Sequence, residues 1–286
     1  MITNPENDWP IALTFDLEYW WSSELLKRVN LTEKKPILEE ASELILGLLA
    51  EHGTRATFFV LGSVAEKNPQ LIRRIHQEGH EIAAHGYSHK NVFDFHPENF
   101  KDEVQKVTEI LSTITSERPL GFRAPNFSFD ERTVWAYDVL REFGYKYSSS
   151  VFPFKTKLYG VPKAPLKPYS PSSESILLHD PQGEFIEFPA TVFQILGKNI
   201  PISGGFYFRL LPVWLIKFCL TKVIKKRPAV FYLHMRDLYE DVPRLRNLPL
   251  RAQIFHYLGI KRSLPKFESL LTRFEFRPVR EVLDLN

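Results

Sequence analysis

A single cysteine, Cys219, leaves the chain unable to close a disulfide within itself, which excludes the small oxidised scaffolds. No N-terminal run joins basic residues to an apolar stretch, so no secretory signal is expected and the cytoplasm is the default compartment. Nor does any segment read as a membrane span. Residues 206–224 are apolar, but Arg209, Lys217 and Lys222 interrupt them and Pro212 would break a spanning helix. Internal repeats, low-complexity tracts and polar linkers are missing as well. What is present is a composition of 44% hydrophobic, 14% aromatic and 25% charged residues, which supports a packed core and excludes disordered, collagen-like and coiled-coil chains. The 286 residues equal about two typical domains, yet α/β barrels reach this length as one. Without a linker we expect one domain over 1–286. It carries an irregular excursion at 152–175, where Pro153, Pro162, Pro165, Pro168 and Pro171 forbid regular structure.

The formal charge of +3 conceals an asymmetry. Residues 1–150 carry 16 Lys and Arg against 23 Asp and Glu, whereas 151–286 carry 21 against 11. The basic excess of the second half favours an anionic surface or substrate there. No RNA-recognition, zinc-finger or helix-turn-helix signature accompanies it, so nucleic acid is not expected as a partner. Residues 206–224 read first as an amphipathic core helix. Their aromatics, followed by Lys225, Lys226 and Arg227, also suit peripheral contact with an anionic membrane, which would place the protein at the inner membrane surface.

Glycine punctuates the first half. Apolar residues at helical spacing over 38–51 stop at Gly53; a helix over 69–78 follows Asn68 as N-cap and stops at Gly79; one over 131–143 follows Asp130 and stops at Gly144. Short β-like runs at 55–60, 80–84 and 145–147 come after these glycines, and 11–15 precedes the first helix. Further helices are expected at 97–116, 211–224 and 251–274, with strands at 121–123 and 229–233. Alternation of this kind predicts βαβ units and a parallel sheet, open or closed into a barrel.

In such folds the chemistry collects where the carboxyl ends of the strands meet the loops. Four apolar runs here are followed at once by polar residues: Asp16 and Glu18, His85 and His89, Arg123, and His234. Two imidazoles four apart can face one divalent metal, but two ligands are too few, and a carboxylate from Asp16 or Glu18 must join them. The zincin pattern fails, because it needs glutamate directly after the first histidine, where Gly86 stands. Asp16 and Glu18, two apart on an extended chain, face the same side, so one can hold metal while the other takes a proton from water. Arg123 would orient Asp16, and His234 is suited to protonating a leaving amine or polarising an oxyanion. Each residue alone has an ordinary structural explanation, as turn cap, loop polar or salt bridge. A shared rim is what would give them a common purpose.

Together these residues resemble the polysaccharide deacetylase family, also called the NodB homology domain or carbohydrate esterase family 4. The likeness covers most of residues 10–283. It rests on Thr14, Phe15 and Asp16, on His85 and His89, on Arg123, Ala124 and Pro125, and on Leu233 and His234. Residues 56–62, 79–84, 121–125, 201–205 and 209–212 look most similar to the branch associated with bacterial exopolysaccharide and export-sorting systems. The resemblance implies a distorted (β/α) barrel that removes N-acetyl groups from an amino-sugar polysaccharide or a lipid-linked glycan precursor. Asp16 would be the general base, Arg123 its partner and His234 the general acid. His85 and His89 would bind one divalent metal, zinc foremost, with cobalt or manganese as alternatives. The family usually places its metal-binding aspartate directly after the base, where this chain has Leu17, so Glu18 is taken as the replacement ligand. Asp237 stands where a proline-tryptophan-acid sequence is more usual and is read as an orienting partner of His234. Two other readings stay open: a metal-free glycan-binding pseudoenzyme, and a metal-independent hydrolase of cyclic amides.

Overall fold

A computed structural model describes residues 8–24, 26, 34–156, 159–245 and 248–285; residues 157–158 of the expected excursion lie outside them. Strand β1 (Ile11–Leu17) is buried along its length and apolar except for Thr14 and Asp16. It pairs in parallel with β2 (Thr57–Val60) on one edge and with β9 (Ala229–His234) on the other, and its first residues also pair with β10 (Phe276–Arg277). The sheet continues in parallel through β3 (Glu81–Ala84), β4 (Gly121–Phe122), β5 (Tyr147–Ser148) and β6 (Ile186–Glu187). Between β6 and β9 no strand pairing closes the ring among the described residues. Val230 N donates to Thr191 Oγ1 at 2.7 Å across this side instead. The result is a curled, open parallel barrel. A separate antiparallel hairpin, β7 (Val192–Ile195) and β8 (Lys198–Pro201), follows the excursion.

Alternation along β1 sorts its side chains between two cores. Ile11, Leu13, Phe15 and Leu17 join the large cluster under the surrounding helices, and Phe15 stacks on Phe58 at 5.2 Å. Ala12 belongs to the barrel interior with Phe59, Ala83, Tyr147, Phe188 and Val230. Thr14 and Asp16 share its parity, so the interior column that starts at Ala12 ends in a carboxylate at the rim.

The helices are α1 (Leu38–Glu51), α2 (Gly62–Lys67), α3 (Pro69–Gln77), α4 (Pro97–Thr115), α5 (Ala136–Glu142), α6 (Gly205–Leu210), α7 (Val213–Ile224), α8 (Leu250–Tyr257), α9 (Ser263–Leu271) and α10 (Val279–Val282). The glycine stops hold; Gly79 (φ 85°) and Gly144 (φ 78°) adopt the left-handed turn that ends a helix.

Four expectations are corrected. The helix over 131–143 is a 3-10 turn at Glu131–Thr133, closed by an Asp130 capping box, followed by α5. Trp135 Nε1 donates to the Arg132 carbonyl and takes that acceptor from the turn. The stretch 251–274 breaks at Gly259 (φ 78°) into α8 and α9. The helix at 211–224 starts only at Val213, because Leu211 is held extended before Pro212. Asn68 precedes α3 but makes no side-chain cap; its Nδ2 donates to the Val64 carbonyl and the Tyr19 hydroxyl.

Candidate active site

β1 delivers Asp16 to the carboxyl-end rim, and Glu18 follows one residue past the strand end. Leu17, between them, points into the main core and cannot reach the site. β3 ends directly before His85, and the following loop brings back His89 in a left-handed conformation (φ 58°), an uncommon cost for a non-glycine residue at a place where chemistry is concentrated. β9 ends at His234, whose Cα is registered opposite that of Asp16. The structure therefore brings together all seven residues singled out from the sequence, which span more than two hundred positions of the chain.

Arg123 is fully buried and serves two groups at once. Its Nη1 donates to Asp16 Oδ1 (2.7 Å) and Thr14 Oγ1 (2.9 Å), its Nε and Nη2 donate to the carbonyl and hydroxyl of Ser149 (3.0 Å each), and the guanidinium lies 4.0 Å from the Phe59 ring centroid. A buried charge costs several kcal/mol unless paired and hydrogen-bonded, and this one is both. Its carbonyl oxygen accepts from His85 Nδ1 at 2.8 Å. A carbonyl can only accept, so His85 carries its proton on Nδ1 and turns the Nε2 lone pair toward Glu18 Oε2, 3.9 Å away. Burial pushes the His85 imidazole down to about 4, although Asp16 opposes it, and so keeps it neutral, as a metal ligand must be.

His89 Nε2 lies against the same Glu18 oxygen. Burial alone would raise the Glu18 carboxyl, but His89, then His234 and His85, hold it at about 2. On the other side, His234 Nδ1 donates to Asp237 Oδ2 (3.2 Å), while His234 Nε2 stands 3.6 Å from Glu18 Oε1 and 3.9 Å from Asp16 Oδ2. Burial works against protonation of His234; Asp237, Glu18 and Asp16 outweigh it and lift the imidazole above its ordinary value. Burial would also raise Asp237, but His234 and Arg209 hold it well below the usual carboxylate range.

Arg209 is the polar residue to which sequence reasoning gave no site role, placing it as an interruption of an apolar run and within the 209–212 segment of the family likeness. Buried on α6, it places Nε 3.2 Å from Asp237 Oδ1 and donates to the carbonyls of Phe255, His256 and Leu258. Its local signal was a charge inside an otherwise apolar helix. Also missed were the aromatic walls, Phe127, Tyr159, Tyr207 and Tyr232, around a cleft of about 660 Å³ floored by Asp16, His85 and His234.

Glu18, His85 and His89 fit a divalent cation. Their ligand atoms lie within 4.8 Å of one another, all three are buried, and no other such group occurs among the described residues. Glu18 Oε2 and His89 Nδ1 have no hydrogen-bond partner there. Glu18 Oε2 therefore faces His89 Nε2 and His85 Nε2 without a well-formed hydrogen bond to either, and a cation seated among the three would give the carboxylate an opposite charge and each ring nitrogen lone pair an acceptor. Two neutral imidazoles and a carboxylate are the ligand set of zinc and similar ions.

A parallel barrel whose rim joins such a ligand set to an acid and an imidazole has the parts that metal-assisted hydrolysis requires. Residues 3–148, just over half the chain, match the polysaccharide deacetylase family model, and the chain belongs to that family. Residues 149–284 match a model described as a domain of unknown function (DUF3473). The peptidoglycan-N-acetylglucosamine deacetylase of Bacillus cereus is 34% identical over 123 residues, 43% of this chain and 38% of that protein. A chitooligosaccharide deacetylase of Bradyrhizobium sp. is 36% identical over 97 residues, 34% of this chain and 42% of that protein. The chain thus spans less than half the length of these relatives. Among solved structures, a Mycobacterium smegmatis protein described as a polysaccharide deacetylase superposes with a TM-score of 0.65 at 18% identity, over 99% of this chain and 92% of its own. A CE4 family pseudoenzyme from Bacillus anthracis superposes at 0.51 and 14% identity, over 97% and 66%. At these identities the structural likeness is one of fold.

Proposed function

We propose that the protein is a metal-dependent hydrolase that removes N-acetyl groups from an amino-sugar polysaccharide or a lipid-linked glycan precursor. The observation that carries this reading is the convergence of Asp16, Glu18, His85, His89 and His234 on one cleft, with Arg123 buried behind Asp16. Glu18, His85 and His89 would hold one divalent cation, zinc foremost, with cobalt or manganese as alternatives. Such a cation supplies the positive charge that polarises an amide carbonyl and acidifies water. Asp16, fixed in direction by Arg123, takes the proton of the attacking water. His234, whose protonated form Asp237 favours from behind, gives its proton to the nitrogen as the carbon–nitrogen bond breaks, so acetate and a free sugar amine leave. Base and acid project from adjacent registered positions of β1 and β9 and face the same point. The aromatic walls suit the apolar faces of sugar rings.

The test is acetate release from N-acetylated chito-oligosaccharides and lipid-linked amino sugars by protein loaded with zinc, cobalt or manganese. Release that a chelator abolishes and added metal restores is expected. Silence of this protein, where a family relative releases acetate in the same assay, would sink the proposal. Leu17, turned into the core where a second aspartate is usual, motivates the alternative of a metal-free glycan-binding protein, which predicts sugar binding with neither bound metal nor turnover. Activity that survives chelation would instead mark a metal-independent amide hydrolase.

A further inference from the structure

We infer that one face of the β7–β8 hairpin, continued along α7, is a docking surface for an anionic lipid bilayer. The hairpin turns through Leu196 (φ 49°) and Gly197 (φ 73°). Two consecutive left-handed residues make a turn that favours asparagine or aspartate before glycine, and a leucine there is strained. Leu196 is 96% exposed, so packing among the described residues does not offset the strain.

The strand register sorts the hairpin into two faces: Phe193 pairs with Ile200 and Ile195 with Lys198, while Gln194 pairs with Asn199. Asn199 fastens its face to the body, its Nδ2 donating to the carbonyls of Pro153 (2.7 Å) and Pro162 (3.1 Å). The opposite face presents Phe193, Ile195, Lys198 and Ile200. Phe193 meets Phe218 of α7 edge-on, with ring centroids 6.3 Å apart. Phe218 is 51% exposed and Trp214, one turn before it, 67%. The inward side of α7 is the amphipathic core helix expected from the sequence, with Ile216, Cys219, Leu220 and Val223 buried. What remains outside is an aromatic stripe joined to an aliphatic tip.

Charge selects the occupant. Between Glu187 and Asp237 the chain has no acidic residue, while Lys198, Lys222, Lys225 and Lys226 are exposed around the apolar face. Lys222 Nζ lies 5.7 Å from the Phe218 ring centroid. From other segments, Asp8 and Glu275 line a cleft with Thr221 and Ile224 at the far end of α7, and Glu275 is taken up by Arg277. Apolar side chains that enter the acyl boundary while lysine stems reach headgroup phosphates are how a protein seats on anionic lipid without crossing it. No helix among the described residues is long and apolar enough to cross a membrane. An acidic polysaccharide would satisfy the lysines and stack on Trp214, but would give the exposed aliphatic tip of Ile195 and Leu196 no apolar interior to enter. The surface lies outside the cleft and does not rest on the deacetylase reading.

The experiment is sedimentation of the full chain with vesicles of phosphatidylcholine alone and with about one third phosphatidylglycerol. Binding to the anionic vesicles, falling with salt, is expected. L196S with W214S should lower it at least about tenfold, and K225E with K226E by a similar factor, with unchanged thermal midpoints. Leu196→Ser alone, at an exposed turn, carries the test if a double variant fails to fold. Three results would overturn the inference. One is equal partition onto neutral and anionic vesicles. Another is retention of a soluble acidic polysaccharide such as alginate by the L196S and W214S variant, with no vesicle binding by the parent. The third is a lipid-free dimer that Leu196→Ser dissolves, which would assign the face to a second copy of the chain.

Discussion

At the scale of single residues, the proposed mechanism separates holding a cation from moving protons. Glu18, His85 and His89 form one cluster; Asp16 and His234 flank it, each backed by its own partner, Arg123 or Asp237. This division makes the variants informative. Asp16→Asn should abolish acetate release yet retain metal, because it removes the proton acceptor and leaves the ligands. His89→Ala should lose both. His234→Ala should retain metal and slow turnover roughly a hundredfold or more. Elemental analysis of the purified variants beside acetate assays reads all three, and normal turnover in Asp16→Asn would remove Asp16 from the role of base.

At the scale of elements, α6 is tied to the site by a close approach. A Cβ on Gly205, the first residue of α6, would lie 1.8 Å from Asp237 Oδ2, and an alanine there must displace either the carboxylate or the helix. A misplacement of about 1 Å costs on the order of a hundredfold in rate, and overpacking costs ~1–3 kcal/mol. Gly205→Ala should therefore lose activity by about that factor and destabilise the fold. Gly47→Ala on α1, where no atom lies within 4 Å of the added carbon, should be neutral or stabilising by ~0.5–1 kcal/mol. Steady-state kinetics and thermal unfolding of the pair decide the matter, and a fully active Gly205→Ala would show that α6 does not hold Asp237. The break at Gly259 belongs to the same assembly. A Cβ there would meet the Arg209 carbonyl at 2.6 Å, and Lys266 Nζ donates to the carbonyls of Phe208, Arg209 and Leu211. The helical pattern over 251–274 contained Gly259 as a stop signal, but nothing local in it pointed to the Arg209 carbonyl.

At the scale of the whole molecule, the boundary between the two family models falls at 148/149, next to Ser149, whose carbonyl and hydroxyl accept from Arg123. The first segment supplies β1 to β5, with Asp16, Glu18, His85, His89 and Arg123. The second supplies β6, β9 and β10, with Arg209, His234 and Asp237, and lays β9 directly against β1. Neither segment holds a complete sheet or site. The full chain should unfold in one transition, coincident by near-ultraviolet dichroism and tryptophan fluorescence. Residues 1–148 and 149–286 expressed apart should show no cooperative melt, and an independently melting half would establish two domains.

The order of strands and helices was legible because apolar period, glycine stops and the Asp130 cap act over a few neighbours. The polar residues at four strand ends were legible for the same reason: each sits at a step from an apolar run to a charge. The meeting of those ends was not a local property. The parallel register that sets Asp16 opposite His234, the meeting of Glu18 with His85 and His89, and the lock of Arg209 on Asp237 all depend on contacts between distant segments. Backbone hydrogen bonds and packing fix such contacts only once the sheet has curled, and so only the tertiary structure decided them.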